Sequence, residues 1–183
     1  SPMAEIARYI KRTDQNARVI FIGPCTAKKK EIQKETVKDY VDCVLTFEEL
    51  QALLDSQNIS VETLEESPLD NASYYGRIFA RSGGVAEAVK QAFIEENITG
   101  FVPRAECCDG IEQCKVALLK LSRGKLDANF IEGMACVGGC IGGAACLTHE
   151  MKDRNEVDKY GKLAKEKGIK DSISIYHLVP DDK

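Results

Sequence analysis

Apolar and polar positions along this chain follow two alternating rhythms. Met3, Ile6, Ala7, Tyr9 and Ile10 recur at helical spacing and predict a helix over residues 3–12. Arg18–Gly23 (RVIFIG) is an unbroken apolar run closed by Gly23-Pro24; it predicts a buried strand, with Cys25 just past its C-terminal end. Lys28–Lys38 is dominated by charge and reads as a solvated loop or short helix. Val41–Thr46 (VDCVLT) predicts a second strand in which Cys43 is a core residue. Thr46, with Glu49 three residues on, carries a capping-box signature for a helix to about Ser56. Residues 57–76, with their acids, Asn, Ser and Pro68, read as a long surface loop.

The second half continues in the same way. Ser82-Gly83-Gly84 reads as a helix-start turn, and Val85, Ala88, Val89, Ala92 and Phe93 form the apolar stripe of the helix that follows. The same turn resembles a phosphate-binding loop only incompletely. Phe101-Val102 predicts the start of a short strand with its turn at Cys107-Cys108-Asp109-Gly110. A helix then runs from Ile111 through Leu121 to Gly124, and Asn129–Cys136 (NFIEGMAC) predicts a further strand. Residues 155–167 read as a polar helix and 173–179 (ISIYHLV) as a final extended piece. Strands alternating with helices predict an α/β class, with mostly parallel β-sheet units and flanking helices. Residues 1–183 read as one domain, of which 148–183 form the C-terminal helix and tail.

Composition narrows the function. The net charge of −4 over 183 residues argues against a nucleic-acid partner, which asks for a basic face. With 44 % hydrophobic and 30 % charged residues the chain has the means to build a core, and no apolar run is long enough to span a membrane. Eight cysteines against two histidines and no tryptophan are the unusual count. No signal peptide is visible at the start, so a reduced, cytoplasmic setting is expected, where cysteines mean metal or redox chemistry more often than disulfides.

Cys25 follows Gly23-Pro24 and has Lys28 three residues on; Cys136 and Cys140 stand four apart among Gly138, Gly139, Gly142 and Gly143. Thiolates hold iron, and glycines let backbone N–H groups approach a cluster's sulfides, so both motifs suit iron–sulfur chemistry. Lys28 favours a thiolate at Cys25 and can donate to an anionic ligand, or else is one more solvated lysine beside Lys29 and Lys30. Buried structural cysteine or a zinc site is the plainer reading of the three thiols. Cys107, Cys108, Cys114 and Cys146 are candidates for a further metal or cluster, or are core thiols or, after oxidation, disulfides. Glu31 and Glu132 read either as carboxylates that orient the neighbouring motifs or as surface groups. His149 and His177 have no ligand-like companion.

These motifs resemble the C-terminal part of the catalytic domain of iron-only ([FeFe]) hydrogenases. Gly23–Glu31 (GPCTAKKKE) is similar to the family's second cysteine signature, M-P-C-x-x-K-x-x-E. Glu132–Gly143 (EGMACVGGCIGG) matches the third, E-x-M-A-C-x-x-G-C-x-x-G-G. Val44-Leu45-Thr46 with Glu48-Glu49-Leu50, and Ile78–Val85, also resemble family segments, so the likeness covers about residues 1–147. It implies that Cys25, Cys136 and Cys140 are three of the four ligands of a [4Fe–4S] cluster, with Cys140 bridging to a two-iron subcluster. It further implies Lys28, Met134 and Phe79 in the cofactor's surroundings, and reversible proton reduction and hydrogen oxidation as the reaction. The first signature, which bears the fourth ligand, is absent from the 183 residues, so the fragment alone is expected to be inactive and to hold an incomplete cofactor or none. The upstream part of the same polypeptide and an electron-transfer or signalling domain are the expected partners. Gly23 stands where the family usually has methionine, and Ala144-Ala145-Cys146 replaces its glycine-rich run. These departures resemble the divergent, sensory branch, so a hydrogen- or redox-sensing module with little turnover is the alternative. A zinc- or disulfide-stabilised domain without a cluster is the third reading.

Overall fold

The computed structural model describes residues 1–67, 72–150 and 152–174. The chain divides into two compact units, Ser1–Glu65 with Gly143–Thr148, and Glu66–Gly142 with His149–Lys183.

In the first unit α1 (Pro2–Thr13) begins with proline in its first turn, where the missing N–H costs nothing, and ends on Lys11 and Arg12, which suit a helix C-terminus. Its Met3, Ala4 and Ala7 are buried against Val19, Val37, Val41 and Val44, with Ile10, Phe21, Ile32 and Tyr40 packed around them. Strand β1 (Ile20–Ile22) pairs in parallel with β2 (Cys43–Leu45), Ile20 opposite Cys43 and Ile22 opposite Leu45. The apolar run around β1 is buried on one face only. Ile20 and Ile22 remain 55 % and 45 % exposed, because side chains alternate across a strand and this two-stranded sheet packs its Val19–Phe21 side on the core. The same alternation corrects the expectation for Cys43. Val44 is the buried residue, and Cys43, on the opposite face, is only half-buried. Between the strands α2 (Ala27–Glu31) is the short helix allowed for in the charged stretch. After β2, Thr46 accepts from the Glu49 N–H and Glu49 accepts from the Thr46 N–H, so the capping box forms as expected and starts α3 (Phe47–Ser56). Asp42 ties β2 to β1: its carboxylate accepts from the Val19 N–H at 2.7 Å and pairs with Lys11 and Arg18.

In the second unit α4 (Tyr74–Arg77) closes the stretch expected to be loop, and Val61–Thr63 in the first unit makes a 3₁₀ turn within it. Pro68 lies outside the described residues. Helix α5 (Gly84–Glu95) follows the glycine pair. Strand β3 (Ala105–Asp109) pairs in parallel with β4 (Phe130–Met134), Cys107 opposite Glu132. Cys107 and Cys108 therefore sit inside the strand, not in its turn. The strand starts after Pro103, which has no N–H to give a ladder, and the turn falls at Gly110, at φ +91°. Helix α6 (Ile111–Ser122) buries Ala117 but leaves Ile111, Val116, Leu118, Leu119 and Leu121 half-exposed. Helices α7 (Asp153–Lys162) and α8 (Ile169–Ile173) follow. Ile173 thus ends a helix that the sequence reading missed, and 175–179, with His177, lie outside the described residues. Both sheets are parallel and flanked by helices, the α/β class expected. Among the described residues no helix is long and apolar enough to cross a membrane.

Candidate metal centre

Each cysteine motif follows the C-terminal end of a parallel strand, where open α/β sheets commonly bind ligands. In the first unit β1 ends at Ile22, and Gly23-Pro24 lead to a half-buried Cys25. The Gly23 N–H donates to the Leu45 carbonyl at 3.0 Å, and the Ala145 N–H donates to the Pro24 carbonyl at 3.2 Å. The chain past the third motif is thus laid beside the second, which brings the Cys146 segment to the Cys25 turn. Gly23 is buried, and a Cβ there would meet the Phe21 ring at 2.8 Å. Phe21 therefore takes up the room of the missing side chain. Lys28 donates to Glu31 at 2.5 Å, and Glu31 also accepts from the Ser1 hydroxyl. Burial works against ionising Glu31, but the hydrogen bonds from Lys28 and Ser1 prevail and hold its carboxyl below the usual value.

In the second unit β4 ends at Met134 and the chain turns through Cys136–Cys140. The Gly139 N–H closes this loop on the Cys136 carbonyl at 3.1 Å, and Asp109, at the end of β3, accepts from the Gly138 N–H at 2.6 Å. The Ala80–Ser82 turn is stitched to the loop's other edge: Cys140 N–H to the Ala80 carbonyl at 2.7 Å, Ser82 N–H to the Gly138 carbonyl at 3.0 Å, and an antiparallel bridge between Arg81 and Gly139. Gly139 adopts φ +86°, and a Cβ there would lie 2.5 Å from the Ser82 nitrogen and 2.7 Å from the Ala80 oxygen. Only glycine allows this approach. The amides of Gly138, Gly139, Cys140 and Gly142 all donate to protein acceptors, so they fix the loop rather than wait for cluster sulfides, the role the glycines suggest in sequence. Cys140 is exposed and Cys136 half-buried. Two thiols on a clamped loop, both reachable, fit a thiolate-held metal cluster in chemistry and presentation.

Two buried charged groups support this loop. Glu132, 3 % exposed, accepts from the N–H groups of Gly83 and Ala86 at 2.6 and 2.7 Å. It thereby caps α5, whose own Ncap glycine has no side chain to do so. Of the two sequence readings of Glu132, the orienting one is what the geometry supports. Arg81, 4 % exposed, donates from Nε to Asp158 of α7 at 2.5 Å, from Nη2 to Glu87 at 2.9 Å and from Nη1 to the Ser82 carbonyl at 3.1 Å. Burial would lower the pKa of Arg81, but its bonds to Glu87 and Asp158 raise it above the ordinary value. The sequence reading missed Arg81, Asp109 and Asp158. A charge placed directly before Ser82-Gly83-Gly84 was the one available signal.

Of the other candidates, Cys108 and Cys114 meet side chain to side chain. Strand alternation sends Cys107 and Cys108 to opposite faces of β3. Cys108, 2 % exposed, is raised in pKa by burial and then by Cys114; Cys107 is raised by burial and then by Glu132. Cys146 belongs to the first unit. Among the described residues no group of three or more His, Cys, Asp or Glu is placed to hold a metal ion, and none of the eight cysteines forms a disulfide. Met134 is half-buried, its carbonyl accepting from the Gly110 N–H. Phe79, one residue before Ala80, lines an apolar cavity of about 410 Å³ between α4, α5 and α8, together with Tyr75, Ala88 and Ile173. His149 lines a second cavity, about 440 Å³, beside Asp109, Val137 and Gly138.

The two parallel sheets thus each lead into a turn that carries thiols, in an α/β protein. Comparison with known proteins gives the family: residues 1–144 match the model of the iron only hydrogenase large subunit, C-terminal domain, and the chain belongs to that family. It is similar to iron hydrogenase 1 of Clostridium pasteurianum, with 28 % identity over 79 % of this chain and 31 % of that protein. It is also similar to the nuclear prelamin A recognition factor of Xenopus laevis, 27 % identical over 73 % of this chain and 40 % of the relative. A probable cytosolic Fe–S cluster assembly factor of Aedes aegypti is 27 % identical over 69 % and 35 %. The solved [FeFe]-hydrogenase of Chlamydomonas reinhardtii shares the fold, with a TM-score of 0.62 at 17 % identity, over 96 % of this chain and 62 % of that one. The chain thus spans well under half the length of these three relatives.

Proposed function

We propose that this chain supplies Cys25, Cys136 and Cys140 as three of the four thiolate ligands of a [4Fe–4S] cluster in an intact iron-only-hydrogenase-like protein, with Cys140 also facing a two-iron subcluster. The observation that carries this reading is the Cys136–Cys140 loop, which is clamped by backbone bonds on both edges yet leaves its thiols reachable. When bound, the cofactor supplies the electron chemistry for reversible reduction of protons to hydrogen. The chain's own part is to fix that loop through Asp109 and Ala80–Ser82, and to pair Lys28, three residues past Cys25, with Glu31. Met134 and Phe79 are assigned to the cofactor's surroundings on the resemblance. The upstream part of the polypeptide contributes the fourth thiolate, and an electron-transfer or signalling domain completes the protein. The cytosolic designation of the Aedes relative agrees with a cytoplasmic setting.

A second reading is a hydrogen or redox sensor with little turnover. It is favoured by Gly23, whose space Phe21 fills, and by the Ala144-Ala145-Cys146 segment. The relatives named as Fe–S cluster assembly factors fit a family in which cluster binding is broader than hydrogen chemistry.

Anaerobic reconstitution of the full-length polypeptide with iron and sulfide tests the cluster. Cys136→Ser and Cys140→Ser should each remove at least half of the bound iron and the iron–sulfur absorbance; iron content unchanged in both refutes the assignment. Hydrogen evolution after loading with maturation factors then separates the enzyme from the sensor.

A further inference from the structure

The family match ends at residue 144, yet Asp158, well beyond it, reaches the turn that clamps the cysteine loop. Arg81 is the link. Its backbone bridges Gly139, and its neighbours Ala80 and Ser82 make the two bonds that hold Cys140 and Gly138. Its guanidinium is buried and uses all three of its nitrogens: toward Asp158 on α7, Glu87 on α5 and the Ser82 carbonyl. The fork is planar, so satisfying these acceptors together fixes where the residue's backbone can lie. A lysine offers a single nitrogen and cannot reproduce the set.

We propose that Arg81 and Asp158 are positioning residues for the Cys136–Cys140 loop, and that α7 is thereby built into the candidate metal centre, setting how the loop presents its two thiols. Asp158 acts through Arg81, Arg81 acts through the Ala80–Ser82 turn, and none of these groups needs to touch a cluster. The inference rests on the cluster reading only for its consequence; the coupling itself is tested without added metal.

The test is amide hydrogen exchange on the full-length polypeptide without added metal. Arg81→Lys and Asp158→Ala should each speed exchange of the Ser82 and Cys140 amides at least tenfold, leaving the amides of the β3–β4 ladder unchanged. Glu156→Ala on the exposed side of α7 should change neither. Asp158→Asn, which keeps an oxygen acceptor, should show a smaller effect than Asp158→Ala. Unchanged exchange at Ser82 and Cys140 in both Arg81→Lys and Asp158→Ala overturns the proposal. So does a uniform loss of protection that includes the β3–β4 ladder, because it would make the pair a general stabiliser. If Asp158→Ala does not fold, Asp158→Asn is judged by the same criterion. After anaerobic reconstitution of the full-length protein, the Asp158 variants should keep their iron but shift the cluster's EPR g-values. Loss of iron in Cys136→Ser and Cys140→Ser tests the cluster reading separately.

Discussion

Replacing Gly139 with alanine combines two penalties that a neighbouring glycine allows to be separated. Gly138 and Gly139 share a φ of +86°. A Cβ on Gly138 would find Ile141 at 3.8 Å and the Gly142 nitrogen at 3.9 Å, ordinary contacts. Gly138→Ala therefore carries only the left-handed backbone cost, about 1–2 kcal/mol. A Cβ on Gly139 would sit 2.5 Å from the Ser82 nitrogen, 2.7 Å from the Ala80 oxygen and 2.8 Å from the Arg81 carbonyl carbon. These are backbone atoms and cannot swing aside, so the two segments must part. Parting them gives up the Ser82 to Gly138 and Cys140 to Ala80 hydrogen bonds, about 0.5–1.5 kcal/mol each. Gly139→Ala should then cost about 2–5 kcal/mol, or about 1–3 kcal/mol more than its neighbour. Urea denaturation of both variants, with the slopes compared to confirm a common transition, measures the difference. Equal costs, within about 0.5 kcal/mol, would refute the close-approach argument.

Removing the Glu132 carboxylate leaves two amides of the α5 start without their acceptor, so Glu132→Ala should destabilise the chain by about 2–4 kcal/mol in the same assay, more than Glu132→Gln, which keeps one oxygen. Asp42 is pulled down from its ordinary 3.8 to about 2, first by the Val19 N–H and then by Lys11 and Arg18. A folded-state pKa below the unfolded one gives stability that is present above pH 3.8 and lost as the pH falls toward 2, so Asp42→Asn should flatten acid unfolding over that window when followed by circular dichroism. Cys108, buried and raised in pKa, should be alkylated by iodoacetamide at neutral pH only after denaturation, which peptide mapping would show.

Local chemistry was legible in the sequence; long-range pairing was not. Thr46 and Glu49 announce their capping box because both bonds close within four residues. The α5 stripe is legible for the same reason. The run around β1 gives strand length but not how many faces are covered, so the exposure of Ile20 and Ile22 could not be read. Pro103 displaced the third strand along the chain, which put Cys107 and Cys108 in the ladder instead of the turn. Glu132 stayed ambiguous because its amide partners lie 46 and 49 residues away. The Arg81–Asp158 pair spans 77 residues and has no local signature at all. At the candidate centre, the thiols and glycines were visible, while what clamps them was not.

Phe21 and Gly23 lie on the same side of their strand and compete for one volume. A side chain at 23 has room only if the Phe21 ring turns away, so the two positions are coupled. Gly23→Met should therefore destabilise the chain less in a Phe21→Ala background than alone, since the smaller residue vacates the volume the methionine needs.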